Sequence, residues 1–248
     1  MNNAHKHNAF TLIEMVVVIG IIALLAALTM GISNSVIRNS QVRQTQDAMK
    51  LLSLAVDEWE LERGRPITFE GYIPINGGRY DIATNGENID QPSGSSSVNN
   101  DDMQDAMETR IESLIELLLQ SESATVILAR ISPELFIEDI HGKLVVDPWG
   151  NPVGVLFPGR KFADAYPNLD PLSEYPYLDE SNDLTVRDEA EDGLGSCINN
   201  EILFVSAGPD LRWGYRYQGN DGVGNPTLID SSKDNIYSYE PFIVEEAR

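Results

Sequence analysis

The sequence predicts an α+β protein: a long N-terminal membrane-spanning helix packed on a small antiparallel β-sheet domain, with inserted loops and a second helix. Three observations predict it. Residues 15–32 form an unbroken run of eighteen without a charge. Apolar side chains recur at Ala48, Leu51, Leu52, Ala55, Val56 and Trp59, in steps of three and four that mark one helical face. Residues 144–157 place β-forming runs on both sides of a cluster of turn formers.

The first element follows from length and composition. Residues 10–32 make twenty-three positions with one acid, Glu14. As a helix they span roughly 35 Å, against about 30 Å for a hydrocarbon core. Apolar residues go all the way round, so no face is left for water. A buried core helix is disfavoured by the position at the chain start, and a cleaved secretory signal by the length of the run. A plain membrane anchor stays open. Glu14 is the exceptional residue, because a carboxylate in an apolar helix needs a partner.

Residues 33–63 continue the helix without a proline. Arg63 stands in the last turn, Gly64 gives the stop and Pro66 lies just beyond. The reading is one helix over residues 10–63, roughly 80 Å long, with two separate helices as the alternative. Residues 64–100 are loop-like, with short strands at 69–75 and 79–82. A second helix over residues 102–119 presents Met103, Met107, Ile111, Leu114, Ile115 and Leu118 on one face.

Asp147, Pro148, Trp149, Gly150, Asn151 and Pro152 are consecutive turn formers apart from the tryptophan, which is expected to plug the domain. The flanking runs 144–146 and 153–157 read as strands. By chemistry this turn is structural, since no nucleophile and base stand near each other in it. Residues 164–192 hold ten carboxylates and one basic residue, Arg187. They read as a solvated acidic insertion, within a larger one at 160–200. An EF-hand in that stretch fails on Ala190 and Asn199 at ligand positions.

Composition excludes several functions. Lys plus Arg is 17 against 39 Asp plus Glu, a net charge of -22, which repels nucleic acid. One cysteine excludes an intrachain disulfide and a cysteine-rich metal centre. No GxSxG, HExxH, Walker A or GxGxxG motif is present. The expectation is therefore a protein that is not an enzyme. His141 reads as a surface or turn residue and Cys197 as a small buried one.

The run AFTLIEMVVVIGIIALLAAL resembles the N-terminal signal of type IV prepilins and type II secretion pseudopilins. That resemblance implies a pilin-like fold and a cut by prepilin peptidase between Ala9 and Phe10, with methylation of the new Phe10 amine. Ala9 stands where the family usually has glycine. Glu14 would then neutralise the N-terminal amine of a neighbouring subunit during assembly. Residues 1–9 would be a cytoplasmic leader, 10–32 the transmembrane assembly helix, 33–63 its soluble half, and 64–248 a periplasmic domain. The chain would cross the inner membrane once.

DPWGNP, FVSAGPD at 204–210 and Asp234-Asn235-Ile236 are similar, in order, to signatures of the major pseudopilins (protein G) of type II secretion systems. Gly154 stands where that family has tyrosine early in the strand. The resemblance implies a structural subunit that polymerises to drive protein export. Its partners would be copies of itself, other pseudopilins, the inner-membrane secretion platform and the prepilin peptidase. It also implies calcium (Ca2+) held by Asp210 and Asp234, with Asn220-Asp221-Gly222 adding a ligand or only a turn. A type IV pilin for adhesion, motility or DNA uptake is the alternative, and a membrane-anchored enzyme or binding module is a third reading.

Overall fold

A computed structural model describes residues 12–67, 69, 71–75, 78–82, 100–138, 142–161, 185–186, 188, 190–213 and 232–242. The chain divides into two compact units, Met1–Gln41 and Val42–Arg248. The first helix, α1 (Leu12–Arg63), begins in one unit and ends in the other. It stops where the sequence places its glycine. Gly64 takes φ +65 and donates its N–H to the Glu60 carbonyl at 2.8 Å. Glu60 Oε1 then accepts from the Ile67 amide at 2.8 Å, turning the chain away from the helix axis.

Within the second unit, α1 buries Ala48, Met49, Leu52, Ala55, Val56 and Trp59, while Leu51 is half-buried. Against them pack Ile111, Leu114, Ile115 and Leu118 of α2 (Asn100–Leu118). A short helix, α3 (Glu122–Leu128), follows. Its N-cap Ser121 accepts from the Ala124 amide at 3.2 Å and donates to Glu62 Oε2 at 2.5 Å, tying α3 to α1.

The strands pair antiparallel throughout the described residues. Strands β1 (Gly71–Ile75) and β2 (Gly78–Ile82) form one pair. Strands β3 (Phe136–Glu138) and β4 (Lys143–Val145) form another. After β5 (Gly154–Leu156) come β6 (Arg160–Lys161) and β7 (Thr185–Val186), which pair with each other. A four-residue helix, α4 (Glu191–Leu194), precedes β8 (Leu203–Ser206) and β9 (Ile236–Tyr237). The three-stranded sheet has order β5-β8-β9, with Val155 opposite Phe204 and Val205 opposite Tyr237. All of β5 and β8 is buried, as expected of strands covered on both faces.

One face belongs to the α1–α2 core. The other carries a smaller cluster of Met103, Met107, Leu156, Leu194, Leu203, Val205 and Trp213. Trp59 and Trp213 are the buried tryptophans, and Trp149 is only half-buried, so it does not plug the domain as expected. Trp213 also accounts for Gly154. A Cβ at that position would stand 2.8 Å from the Trp213 ring, so tyrosine cannot enter the strand there.

The α+β class holds, and the membrane-spanning helix does not. Among the described residues, no helix is long and apolar enough to cross a membrane. The expected transmembrane helix, and with it the single-pass inner-membrane topology, is corrected accordingly.

Candidate functional site

Two places in the fold gather the residues singled out by the sequence. The first is the start of α1. Glu14 is exposed in its first turn, where the positive end of the helix dipole favours a carboxylate. Around it the apolar residues are uncovered, from Leu12 at 83% exposure to Leu25 at 55%. Ala9 and Phe10 lie outside the described residues, as do His141, Asn220-Asp221-Gly222 and most of the acidic insertion.

The second is a buried carboxylate. Asp147 is 2% exposed. Its Oδ1 accepts from the amides of Trp149 and Asn151, each at 2.9 Å. Its Oδ2 accepts from Asn151 Nδ2 at 3.0 Å and from Ser206 Oγ at 2.6 Å. The turn closes with the Gly150 amide on the Asp147 carbonyl at 3.0 Å, and Gly150 takes φ +94. Pro148 and Pro152 fit because neither position is asked for a hydrogen-bond donor.

Ser206 and Asn151 carry this turn to a second one. Ser206 Oγ accepts from the Gly208 amide at 3.0 Å, and Asn151 Nδ2 donates to the Gly208 carbonyl at 3.1 Å. Gly208 takes φ +73, and a Cβ there would collide with the carbonyl of Asp234. The DPWGNP turn, the SAGPD turn and the turn at Ser232–Asp234 are thus keyed together around one carboxylate. Two backbone amides and two side-chain donors meet on the Asp147 carboxylate, which ties the turns to one another.

Asp210 and Asp234 flank Gly208 differently. Asp210 is exposed, and its Oδ1 accepts from the Arg212 amide at 2.9 Å. Asp234 is half-buried with its backbone against Gly208. Next to it, Asn235 Nδ2 donates to the Trp213 carbonyl at 2.6 Å, while its buried Oδ1 receives no hydrogen bond among the described residues. Those oxygens are of the hard type calcium takes. Among the described residues, no group of three or more His, Cys, Asp or Glu side chains is placed to hold a metal.

The pair Arg110–Asp188 was not anticipated from sequence. Arg110 Nη2 lies 2.9 Å from Asp188 Oδ1, and both side chains are fully buried. Arg110 Nη1 also donates to the Val155 carbonyl at 2.8 Å. Asp188 accepts from the amides of Phe157 at 2.8 Å and Ala190 at 2.9 Å. The available signal was Arg110's place among Met103, Met107, Ile111 and Leu114 on the apolar face of α2. Nearby, Cys197 Sγ contacts the Leu156 carbonyl at 3.5 Å. Burial first, then the charges of Glu191 and Asp188, push its thiol well up from the ordinary value. The thiolate that nucleophilic chemistry needs is therefore suppressed.

The family model of the prokaryotic N-terminal methylation motif matches residues 4–30. No curated protein and no solved structure matches the chain. The motif implies processing by a prepilin-peptidase-like enzyme. It surrounds the exposed apolar start of α1 and Glu14, and it is the motif of pseudopilins and type IV pilin-like proteins in general.

Proposed function

We propose that the chain is a non-catalytic structural subunit of a filament, a pseudopilin of a type II secretion pseudopilus. Prepilin peptidase cuts between Ala9 and Phe10, and the new Phe10 amine is methylated. The mature chain packs through the start of α1 against copies of itself and against other pseudopilins of the secretion platform, and the growing filament drives protein export. The observation that carries this reading is the uncovered apolar surface of residues 12–25 with Glu14 in the first turn, inside the methylation motif. A contiguous apolar surface of that extent marks an interaction site. Removing it from water contributes about 25 cal/mol per Å2. Glu14 cannot join such an interface alone, because a desolvated carboxylate needs a cation. The Phe10 amine of a neighbouring copy supplies one.

Calcium at Asp210 and Asp234 belongs to the same reading, supported by the buried and unmatched Asn235 Oδ1.

Intact-mass analysis of the protein isolated from its own cells tests the processing. The expected species begins at Phe10 and carries one added methyl group; an uncut or unmethylated chain contradicts the proposal. Glu14→Ala is expected to be cut normally yet to yield few filaments. Filaments as abundant as those of the parent chain would remove Glu14 from assembly.

A further inference from the structure

Gly64 ends α1 between two arginines, and its turn at φ +65 brings the second back onto the helix the chain has just left. Arg63 and Arg65 both rest on the indole of Trp59, with Cζ 5.7 and 5.4 Å from the ring centroid. The two arginines are exposed, while Trp59 is 2% exposed. All three belong to the second compact unit.

Cation–π attraction holds each guanidinium on the ring without cancelling its charge. Arg63 donates one of its several N–H groups, to the Gln120 carbonyl at 3.4 Å. Among the described residues, neither arginine forms an ion pair. The nearby acids of the helix end are turned elsewhere. Glu60 accepts from the Ile67 amide and lies 4.0 Å from Arg160, and Glu62 accepts from Ser121. The ring itself adds a third donor. Trp59 Nε1 is buried and meets no acceptor among the described residues, and buried donors left unmet are the exception in folded proteins. Three donors, two of them charged, converge where acceptors are committed to other groups. Acids outnumber bases 39 to 17 in this chain, so two uncompensated cations on one ring run against its general character.

We propose that Trp59, Arg63 and Arg65 form a carboxylate-binding site. The guanidiniums take the oxygens of the anion in charge-assisted hydrogen bonds. As the arginine side chains turn to the ligand they uncover the indole N–H, which donates to a remaining lone pair. A small free carboxylate and an acidic side chain of a second copy present the same group. The site itself does not depend on the filament reading.

The test is calorimetric titration of the full chain with citrate, at ionic strength held constant with chloride. The parent chain is expected to bind. R63Q and R65Q should each weaken binding on the order of tenfold, and R63Q/R65Q should abolish it. R130Q removes the same charge from an exposed position just beyond α3 and should leave binding unchanged. W59F keeps an aromatic ring beneath the arginines, removes the N–H and should weaken binding several-fold. The arginine variants alter only exposed side chains, so they decide the matter even if W59F folds poorly. A parent chain that does not bind citrate, binding that survives R63Q/R65Q, or an equal loss in R130Q would overturn the site; undiminished binding by folded W59F contradicts the three-donor arrangement. Sedimentation of the processed chain then separates the two sources. Self-association weakened by both citrate and R63Q/R65Q assigns the site to a carboxylate of a second copy, and association indifferent to both assigns it to a free one. A parent chain that does not self-associate counts against the filament reading and leaves the citrate result standing.

Discussion

Asp147 holds more backbone than its size suggests. Four donors converge on its two oxygens, and one of them, Ser206 Oγ, in turn receives the Gly208 amide. Hydrogen bonds to a charged acceptor are each worth about 1.5–3 kcal/mol, and removing the acceptor leaves its buried donors unmet. Asp147→Ala should lower stability by on the order of 3 kcal/mol, and Ser206→Ala by about 1 kcal/mol. Urea denaturation of the two variants checks this, and losses of equal size would mean that Ser206 rather than Asp147 organises the turns. The DPWGNP turn itself was readable in sequence, since two prolines and a glycine fix the backbone locally. Its partner was readable only through resemblance: Ser206 lies 59 residues downstream. Nothing in the local pattern states that a buried carboxylate is waiting for that hydroxyl.

Among the elements, α1 and α2 were legible because each is long enough to repeat its apolar spacing several times. The seven residues of α3 allow barely two turns, too few for a period, and its Ser121 cap becomes meaningful only once Glu62 is beside it. The acidic insertion read as uniformly solvated, since ten carboxylates in sequence look alike. Asp188 departs from that pattern by reaching Arg110 in the interior, and Arg110 in turn joins α2 to β5 through the Val155 carbonyl. Removing one member of a buried pair strands the other's charge, which typically costs about 3–5 kcal/mol. Asp188→Asn and Arg110→Ala should each fall in that range by urea denaturation. Replacing the pair together, as Arg110→Met with Asp188→Leu, should cost less than either single change. A double variant weaker than both singles would show that the pair's hydrogen bonds to backbone outweigh its burial.

At the scale of the whole molecule, the excess of acid over base affects every experiment with cations. Self-repulsion destabilises the folded state, so any added salt is stabilising to some extent by screening. A specific calcium site has to be separated from that background. The full chain is heated at constant ionic strength with sodium, magnesium or calcium as the counterion. Calcium bound between Asp210 and Asp234 should raise Tm well above the sodium value. At about 100 times its Kd, the gain would be near 2.7 kcal/mol. Magnesium should do much less, because it demands tighter octahedral geometry and gives up water reluctantly. Asp210→Ala and Asp234→Ala should both abolish the calcium increment, while Asp105→Ala, on the outward side of α2, should leave it intact. Equal shifts with magnesium and calcium, or a calcium shift that survives Asp234→Ala, would assign the whole effect to screening. The unmatched Asn235 oxygen would then be a local cost of the Trp213 contact.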